Sequence, residues 1–331
     1  MKTPAWSRLA GYAWGVLLWN VLVALFGAYV RATGSGAGCG AHWPTCNGEV
    51  IPRAPQVETL IEFTHRATSG LAFLSVLALF LWALRAFPKG HPARFGAGLA
   101  LFFMVTESLV GASLVLFGWT ADNVSRERAV VQMVHLANTY FLLAAFALTA
   151  RWAPGRGPLP LPGQAAVAPP LFLGLLALLF LGMSGAVTAL GDLLFPVGST
   201  LEALERSLTP GEHFLVRLRV LHPLIAVSVG LYVVFAGYLV AHLRPSPLTR
   251  RLAQGLAYLY GAQLLAGLIN VALKAPVWMQ ILHLLLAYAV WLLFVFLATS
   301  ALERGAKRVE LGEGGEAVHR GTGGATWRDY L

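Results

Sequence analysis

Apolar residues run along this chain in long blocks separated by short polar stretches. Runs of about 20 apolar residues are long enough to cross a hydrocarbon core. On that measure the pattern predicts eight spans, at roughly 11–31, 60–86, 95–117, 129–151, 169–190, 214–242, 251–273 and 277–301. The first stretch is too long for a signal-peptide core and runs into Arg31-Ala32-Thr33-Gly34 without a convincing small-residue cleavage site, so it reads as a retained helix. Pro and Gly gather at 152–168, between the fourth and fifth spans. Beyond about 305 the chain turns polar and Gly-rich, a composition that resists packing. The expected architecture is an all-α integral membrane protein with eight transmembrane helices in two tandem, pseudo-symmetric four-helix bundles. These occupy 1–152 and 169–304, with a cytoplasmic linker at 153–168 and a flexible cytoplasmic tail at 305–331.

Composition agrees. Of the 331 residues, 57% are hydrophobic and 12% charged, against about 25% charged in ordinary soluble domains. The net charge of +9 forms no dense basic stripe, so nucleic-acid binding is not expected. The basic residues fall instead in alternate loops: Lys2 and Arg8, then Arg85, Lys89 and Arg94, then Arg151 and Arg156, then Arg244, Arg250 and Arg251, then Arg304, Lys307 and Arg308. The intervening loops hold Glu49, Glu58, Asp122, Glu127, Asp192, Glu202, Glu205 and Glu212. That alternation is the positive-inside pattern and predicts both termini to be cytoplasmic.

The two halves match. Glu107-x-x-x-Gly111 parallels Gln263-x-x-x-Gly267, and Gln132-x-x-His135-Leu136 parallels Gln280-x-x-His283-Leu284. His65 and His222 lie 157 positions apart, Gly111 and Gly267 156, and His135 and His283 148. A near-constant offset with one length difference before the last span suggests duplication. With four spans per half, both halves insert the same way, a parallel repeat. The second, fourth, sixth and eighth spans then all enter from the outer side. Their histidines, His65, His135, His222 and His283, fall at similar depth in the outer half of the bilayer.

Histidine inside a membrane span is costly and points to function, although a single one is more often a hydrogen-bonded packing residue. Four at repeated positions favour a bis-histidine site within each bundle. Each half offers two histidines and no thiolate or acid cluster to close a tetrahedral zinc site, so heme fits better. No Cys-x-x-Cys-His is present for covalent attachment. Arg66 and Arg219, beside these histidines, suit heme propionates; interfacial snorkelling is the plainer reading, and for Arg217 it carries equal weight. His42, His91, His213, His242 and His319 receive no role.

Three residues before the first histidine, the halves differ: Glu62 precedes His65, whereas Arg219 precedes His222. Glu62 shares a helix face with His65 and reads either as an acid/base or electrostatic group or as a structural salt bridge to Arg66. Glu107, mid-span, reads as a proton carrier, a cavity-lining group or a neutral packing residue. Cys39 and Cys46 are the only two cysteines, on one loop in a compartment that permits disulfides. A mutual disulfide is the leading reading, and whether it is structural or exchanges with a thiol-disulfide oxidoreductase is open.

The stretch Gly27-Ala28-Tyr29-Val30-Arg31-Ala32-Thr33-Gly34-Ser35-Gly36-Ala37-Gly38-Cys39, followed by Trp43-Pro44-x-Cys46 and Glu62-Phe63-x-His65-Arg66, resembles the heme A synthase family. The resemblance covers nearly the whole chain except the tail. It implies oxidation of the C8 methyl of heme O to a formyl group, through successive hydroxylations and loss of water, giving heme A for terminal oxidases. It further implies that His65 and His135 flank the substrate heme, that His222 and His283 ligate a heme b cofactor, that Glu62 is the catalytic carboxylate, and that Cys39 and Cys46 form the outer-loop disulfide. The implied location is a bacterial inner membrane with both heme sites toward the outer side. Partners would be the lipid bilayer, heme O synthase and a quinone or other electron acceptor. Two other classes remain: a non-catalytic diheme b-type cytochrome taking electrons from quinol, and a transporter or assembly factor that binds no heme.

Overall fold

Hydrocarbon leaves the backbone no partner but itself, so the long apolar runs close into helices. The structure, a computed structural model, describes residues 5–155 and 164–303 and two short strands, Glu310–Leu311 and Ala317–Val318. Helices α1 (Ala5–Ala32), α2 (Val57–Ala86), α3 (Pro92–Leu116) and α4 (Arg126–Trp152) precede the linker. Helices α5 (Ala168–Leu194), α6 (Thr200–Leu208), α7 (Phe214–Arg217), α8 (Leu221–Leu243), α9 (Pro247–Ala272) and α10 (Val277–Leu302) follow it. Among the described residues, eight helical segments are long and apolar enough to cross a membrane, with α7 and α8 forming one span over Phe214–Leu243. The protein is a multi-pass membrane protein. Part of the linker, and the tail expected to be flexible, lie outside the described residues apart from the two strands.

Local chemistry sets the helix ends. Pro92 and Pro247 open α3 and α9 at positions where the missing N–H costs nothing. Ser125 caps α4 through the N–H of Arg128, and Ser246 with Thr249 forms a capping box on α9. Two features depart from the expected pattern. The loop between the fifth and sixth spans contains α6, a short amphipathic helix with Leu201, Leu204 and Leu208 exposed on one side. Its Arg206 hydrogen-bonds Glu212 and holds that carboxyl below its usual range. The sixth span begins as α7 and a 3-10 turn, Leu218–Val220, before α8. Pro223 explains the break, because it has no N–H to continue a helix entering from α7.

Packing follows a closed order in each half. Helix α1 packs on α2 and α4, and α3 packs on α2 and α4; after the linker, α5 packs on α8 and α10, and α9 packs on α8 and α10. The halves meet where α1 and α4 face α5 and α10. At this seam the indole of Trp291 donates to the carbonyl of Tyr140 (2.7 Å) and stacks on its ring (5.0 Å), and the Tyr288 ring lies 5.8 Å from that of Tyr140. Arginines from the first half tie both ends of the seam. Arg31 donates to Ala189 O and Gln280 Oε1 (2.8 and 3.0 Å), and Arg151 reaches Glu303 and Ser300 (2.8 and 3.0 Å). Away from the seam, Leu18, Leu74, Phe102 and Phe235 stay exposed, as lipid-facing side chains do.

Close packing in the second half depends on Gly174, where an added Cβ would stand 2.3 Å from the buried ring of Phe294. Gly174→Val should therefore destabilise by about 1–3 kcal/mol through overpacking, read as a lower melting midpoint in detergent. Gly11→Val, with nothing within 4 Å of its Cβ, should leave the midpoint in place. Equal midpoints for the two variants would show that the packing of α5 on α10 does not constrain this position.

Candidate functional site

His65 on α2, His135 on α4, His222 on α8 and His283 on α10 line one cavity of about 1550 Å³ that runs across both halves. Single-ligand pockets hold roughly 300–1,000 Å³, so this cavity has room for more than one such ligand. Neighbouring helices make way for the rings. A Cβ on Gly27 of α1 would stand 3.0 Å from His65, one on Gly185 of α5 3.0 Å from His222, and one on Gly267 of α9 3.0 Å from His283. Gly111 of α3 gives His135 more space, at 3.8 Å.

In the second half the fit to a metal can be tested directly. The rings of His222 and His283 are 6.4 Å apart between centres and nearly perpendicular. An ion bonded to two imidazole nitrogens at about 2 Å each separates the ring centres by roughly 6 Å. Among the described residues, no three His, Cys, Asp or Glu side chains gather to hold a free ion. Two imidazoles at this spacing would suit iron already held in a porphyrin, which takes only two further ligands from the protein. Ser184 Oγ backs His222 at Nδ1 (2.9 Å), and Gln263 Nε2 lies 3.3 Å from His283 Nε2.

The residues three places earlier form ion pairs of opposite polarity. In the first half, Glu62 is buried and lines the cavity. Its Oε1 accepts from Arg66 (2.5 and 3.1 Å) and its Oε2 accepts from the backbone N–H of Cys39 (2.8 Å). Arg66 also donates to the carbonyls of His42 (2.6 Å) and Thr45 (2.5 Å). The guanidinium thus clamps the cysteine loop onto the carboxylate. In the second half, Arg219 takes the matched position, pairs with Asp192 (3.0 Å), and donates to Gly191 O and Phe195 O. Its Nη1 is buried and has no hydrogen-bond partner among the described residues, while the side chain lines the cavity.

Cys39 and Cys46 form a disulfide, and both residues are buried. The loop they close lies against α2. Thr59 Oγ1 donates to Gly38 O (2.7 Å), and an added Cβ on Gly38 would collide with the Glu58 backbone at 2.5 Å. Any access to the sulfurs therefore requires the loop to lift.

Several contributors carry weaker sequence signals. Arg31 lies inside the stretch already quoted, but nothing local says that it reaches across to α5 and α10. Tyr140 and Tyr288 each follow a cavity histidine by five residues, and this regularity identifies the seam once the repeat is noticed. Glu107 turns out to meet His135, with Oε1 3.2 Å from Nδ1.

Comparison with known proteins then places the chain. A family model described as COX15-CtaA, cytochrome oxidase assembly protein, matches residues 10–295. The chain belongs to this family. Among relatives of this COX15-CtaA chain, a Thermus thermophilus protein named protoheme IX farnesyltransferase is 97% identical over 331 residues, all of the chain but 54% of the relative. The chain thus spans about half the length of that relative. Proteins named heme A synthase are similar over a shorter stretch. That of Exiguobacterium sibiricum is 46% identical over 97 residues, 29% of the chain and 33% of the relative. That of Halalkalibacterium halodurans is 46% identical over 98 residues, 30% of the chain and 33% of the relative.

The clamp has a measurable consequence in this COX15-CtaA chain. Hydrogen bonds to charged groups are worth about 1.5–3 kcal/mol. Arg66→Leu should therefore make Cys39–Cys46 reducible by a soluble thiol about tenfold faster or more, followed by alkylation and gel shift. An unchanged rate would mean that Arg66 does not hold the loop down.

Proposed function

We propose that the chain performs heme A synthesis, oxidising the C8 methyl of heme O to a formyl group through successive hydroxylations and loss of water. The observation that carries this reading is Glu62: a buried carboxylate held in place by Arg66 and the Cys39 N–H, lining the same cavity as His65 and His135. A carboxylate fixed in this way does not reorganise when positive charge develops nearby, which is how a preorganised site stabilises a reacting group. The family description and the names of the shorter relatives support the same reading.

In this proposal His65 and His135 flank the substrate heme, and His222 and His283 hold a heme b. Bound there, heme b would supply one-electron relay toward a quinone or other acceptor. Arg219 supports this division, because its unengaged Nη1 is placed to receive a propionate. Arg66, with its donors committed to Glu62 and the loop, serves the carboxylate first. The matched packing order of the two halves is what a duplicated four-helix bundle would produce.

The long Thermus relative bears the name of a farnesyltransferase acting on protoheme, and farnesylation of protoheme is the reaction that makes a substrate of the heme O type. A heme O synthase is therefore the partner we assign. The basic-residue pattern supports a bacterial inner-membrane orientation with the cysteine loop and both sites toward the outer face. A thiol-disulfide oxidoreductase partner would require the loop to open first, because the sulfurs are buried.

Glu62→Gln should retain bound heme and lose heme A, measured by extracting hemes from membranes that also contain a heme O source. Normal heme A in the extract would defeat the role given to Glu62. If the unaltered protein binds heme but yields no heme A, the non-catalytic diheme cytochrome is favoured. His222→Ala should abolish the low-spin bis-histidine spectrum of the second half in purified protein, and an unchanged spectrum would overturn that ligand assignment.

A further inference from the structure

The two halves differ in a second way, behind the histidines. Glu107 of α3 stands with Oε1 3.2 Å from Nδ1 of His135. Its carboxylate is fixed by two residues of α4: Thr139 Oγ1 donates to Oε1 and Asn138 Nδ2 to Oε2, both at 2.5 Å. Asn138 is held in turn, donating to Phe103 O (2.8 Å) and accepting from Thr106 Oγ1 (2.6 Å). Among the described residues, no lysine or arginine takes part in this network.

At the repeat offsets, the second half has Ala262 for Thr106, Gln263 for Glu107, Leu286 for Asn138 and Ala287 for Thr139. All four polar positions have lost the groups that build the network. Gln263 offers its amide nitrogen to His283 at the other ring nitrogen, 3.3 Å from Nε2; the Nδ1 atoms of His283, His65 and His135 all lack a hydrogen bond among the described residues, and of these three that of His135 has a carboxylate beside it. The other two histidines have neutral neighbours: the Ser184 hydroxyl lies 2.9 Å from His222 Nδ1, and the Phe26 ring packs perpendicular to His65 with ring centres 5.7 Å apart. Among the described residues, His135 is the one cavity histidine in close contact with an anion on its far nitrogen.

A polar cluster at mid-span is costly in hydrocarbon, and α9 packs on α10 in the second half without this set of groups. Its effect on the histidine is therefore separable from its part in joining α3 to α4. A carboxylate 3.2 Å from Nδ1 favours the proton on that nitrogen, leaves Nε2 free to ligate, and makes the imidazole a stronger donor. We infer that Glu107, held by Asn138 and Thr139, is a positioning residue that orients His135 and makes the first-half site the more electron-rich of the two. The consequence is a lower reduction potential for the heme of the first half than its histidine ligation alone would give. The asymmetry between the halves is thus set twice, by Glu62 against Arg219 facing the ring and by Glu107 against Gln263 behind the ligand.

This inference rests on the proposed heme ligation, and the test separates the two. Purified full-length chain loaded with heme is titrated by optical spectroelectrochemistry, with His222→Ala as a background in which the first-half signal stands alone. Glu107→Gln should raise the midpoint potential of the first-half heme and change its ferric EPR g-values, while leaving the second-half midpoint where it was. Glu107→Asp should restore part of the shift. Asn138→Leu, which keeps the carboxylate but removes one clamp, should shift the midpoint in the same direction by less, and it serves if Glu107→Gln does not fold. Absence of any histidine-ligated heme spectrum in the unaltered protein would remove the underlying reading. Bound heme with a normal spectrum and an unmoved first-half midpoint in Glu107→Gln and Asn138→Leu would overturn the role of Glu107 alone.

Discussion

A polar group inside hydrocarbon must find its partner within the protein, and that constraint organises this structure. Charges beside the cavity are answered within the protein: Glu62 by Arg66 of its own helix and by the Cys39 N–H of the loop, Glu107 by Thr139 and Asn138, and Arg219 by Asp192 and two carbonyls. Where the partners come from different segments, each pairing also fixes one segment against another. The cysteine loop is held to α2, α3 to α4, and the turn before α8 to the end of α5. Breaking one partner would leave an uncompensated charge, which costs far more than the pair itself contributes.

The same constraint explains the shape of the interior. Four histidine-bearing helices surround a cavity, and glycines on the intervening helices give the rings room. The aromatic seam of Tyr140, Tyr288 and Trp291 closes the space between the halves, and Arg31 and Arg151 hold it at its ends. The result is a scaffold with one layout repeated and its chemistry not repeated. One half combines a fixed carboxylate facing the cavity with a second one behind a histidine. The other presents a guanidinium with a donor to spare and neutral groups behind its rings. Differences of this kind need only a few residues once packing is secure, because they sit on the cavity walls while the seam holds the helices together.

Much of this was legible in the residues. The number and approximate limits of the spans follow from apolar run length, because membrane thickness imposes its own ruler on sequence. The histidines and the Glu62/Arg219 contrast follow from the near-constant offset between halves, since a helix face is set by spacing alone. What escaped was whatever depended on neighbours distant in the chain. Helix α6 was hidden in a loop too short and too charged to register as a span. Arg66 reads equally as a propionate partner or a snorkelling side chain until the loop carbonyls of His42 and Thr45 are placed beside it. Glu107 reads three ways until His135, Asn138 and Thr139 are brought to it from another helix.

The division has a physical reason. Periodicity, run length and repeat offset are one-dimensional properties, and they determined by themselves that this is an eight-span membrane protein with paired histidines and unequal halves. Which group each charge meets depends on distances of about 3 Å between helices, and those are decided by how the glycines, the aromatic seam and the clamped loop pack. Tertiary structure therefore decided that Glu62 is tied to the disulfide loop, that Arg219 keeps a nitrogen free, and that Glu107 stands against His135.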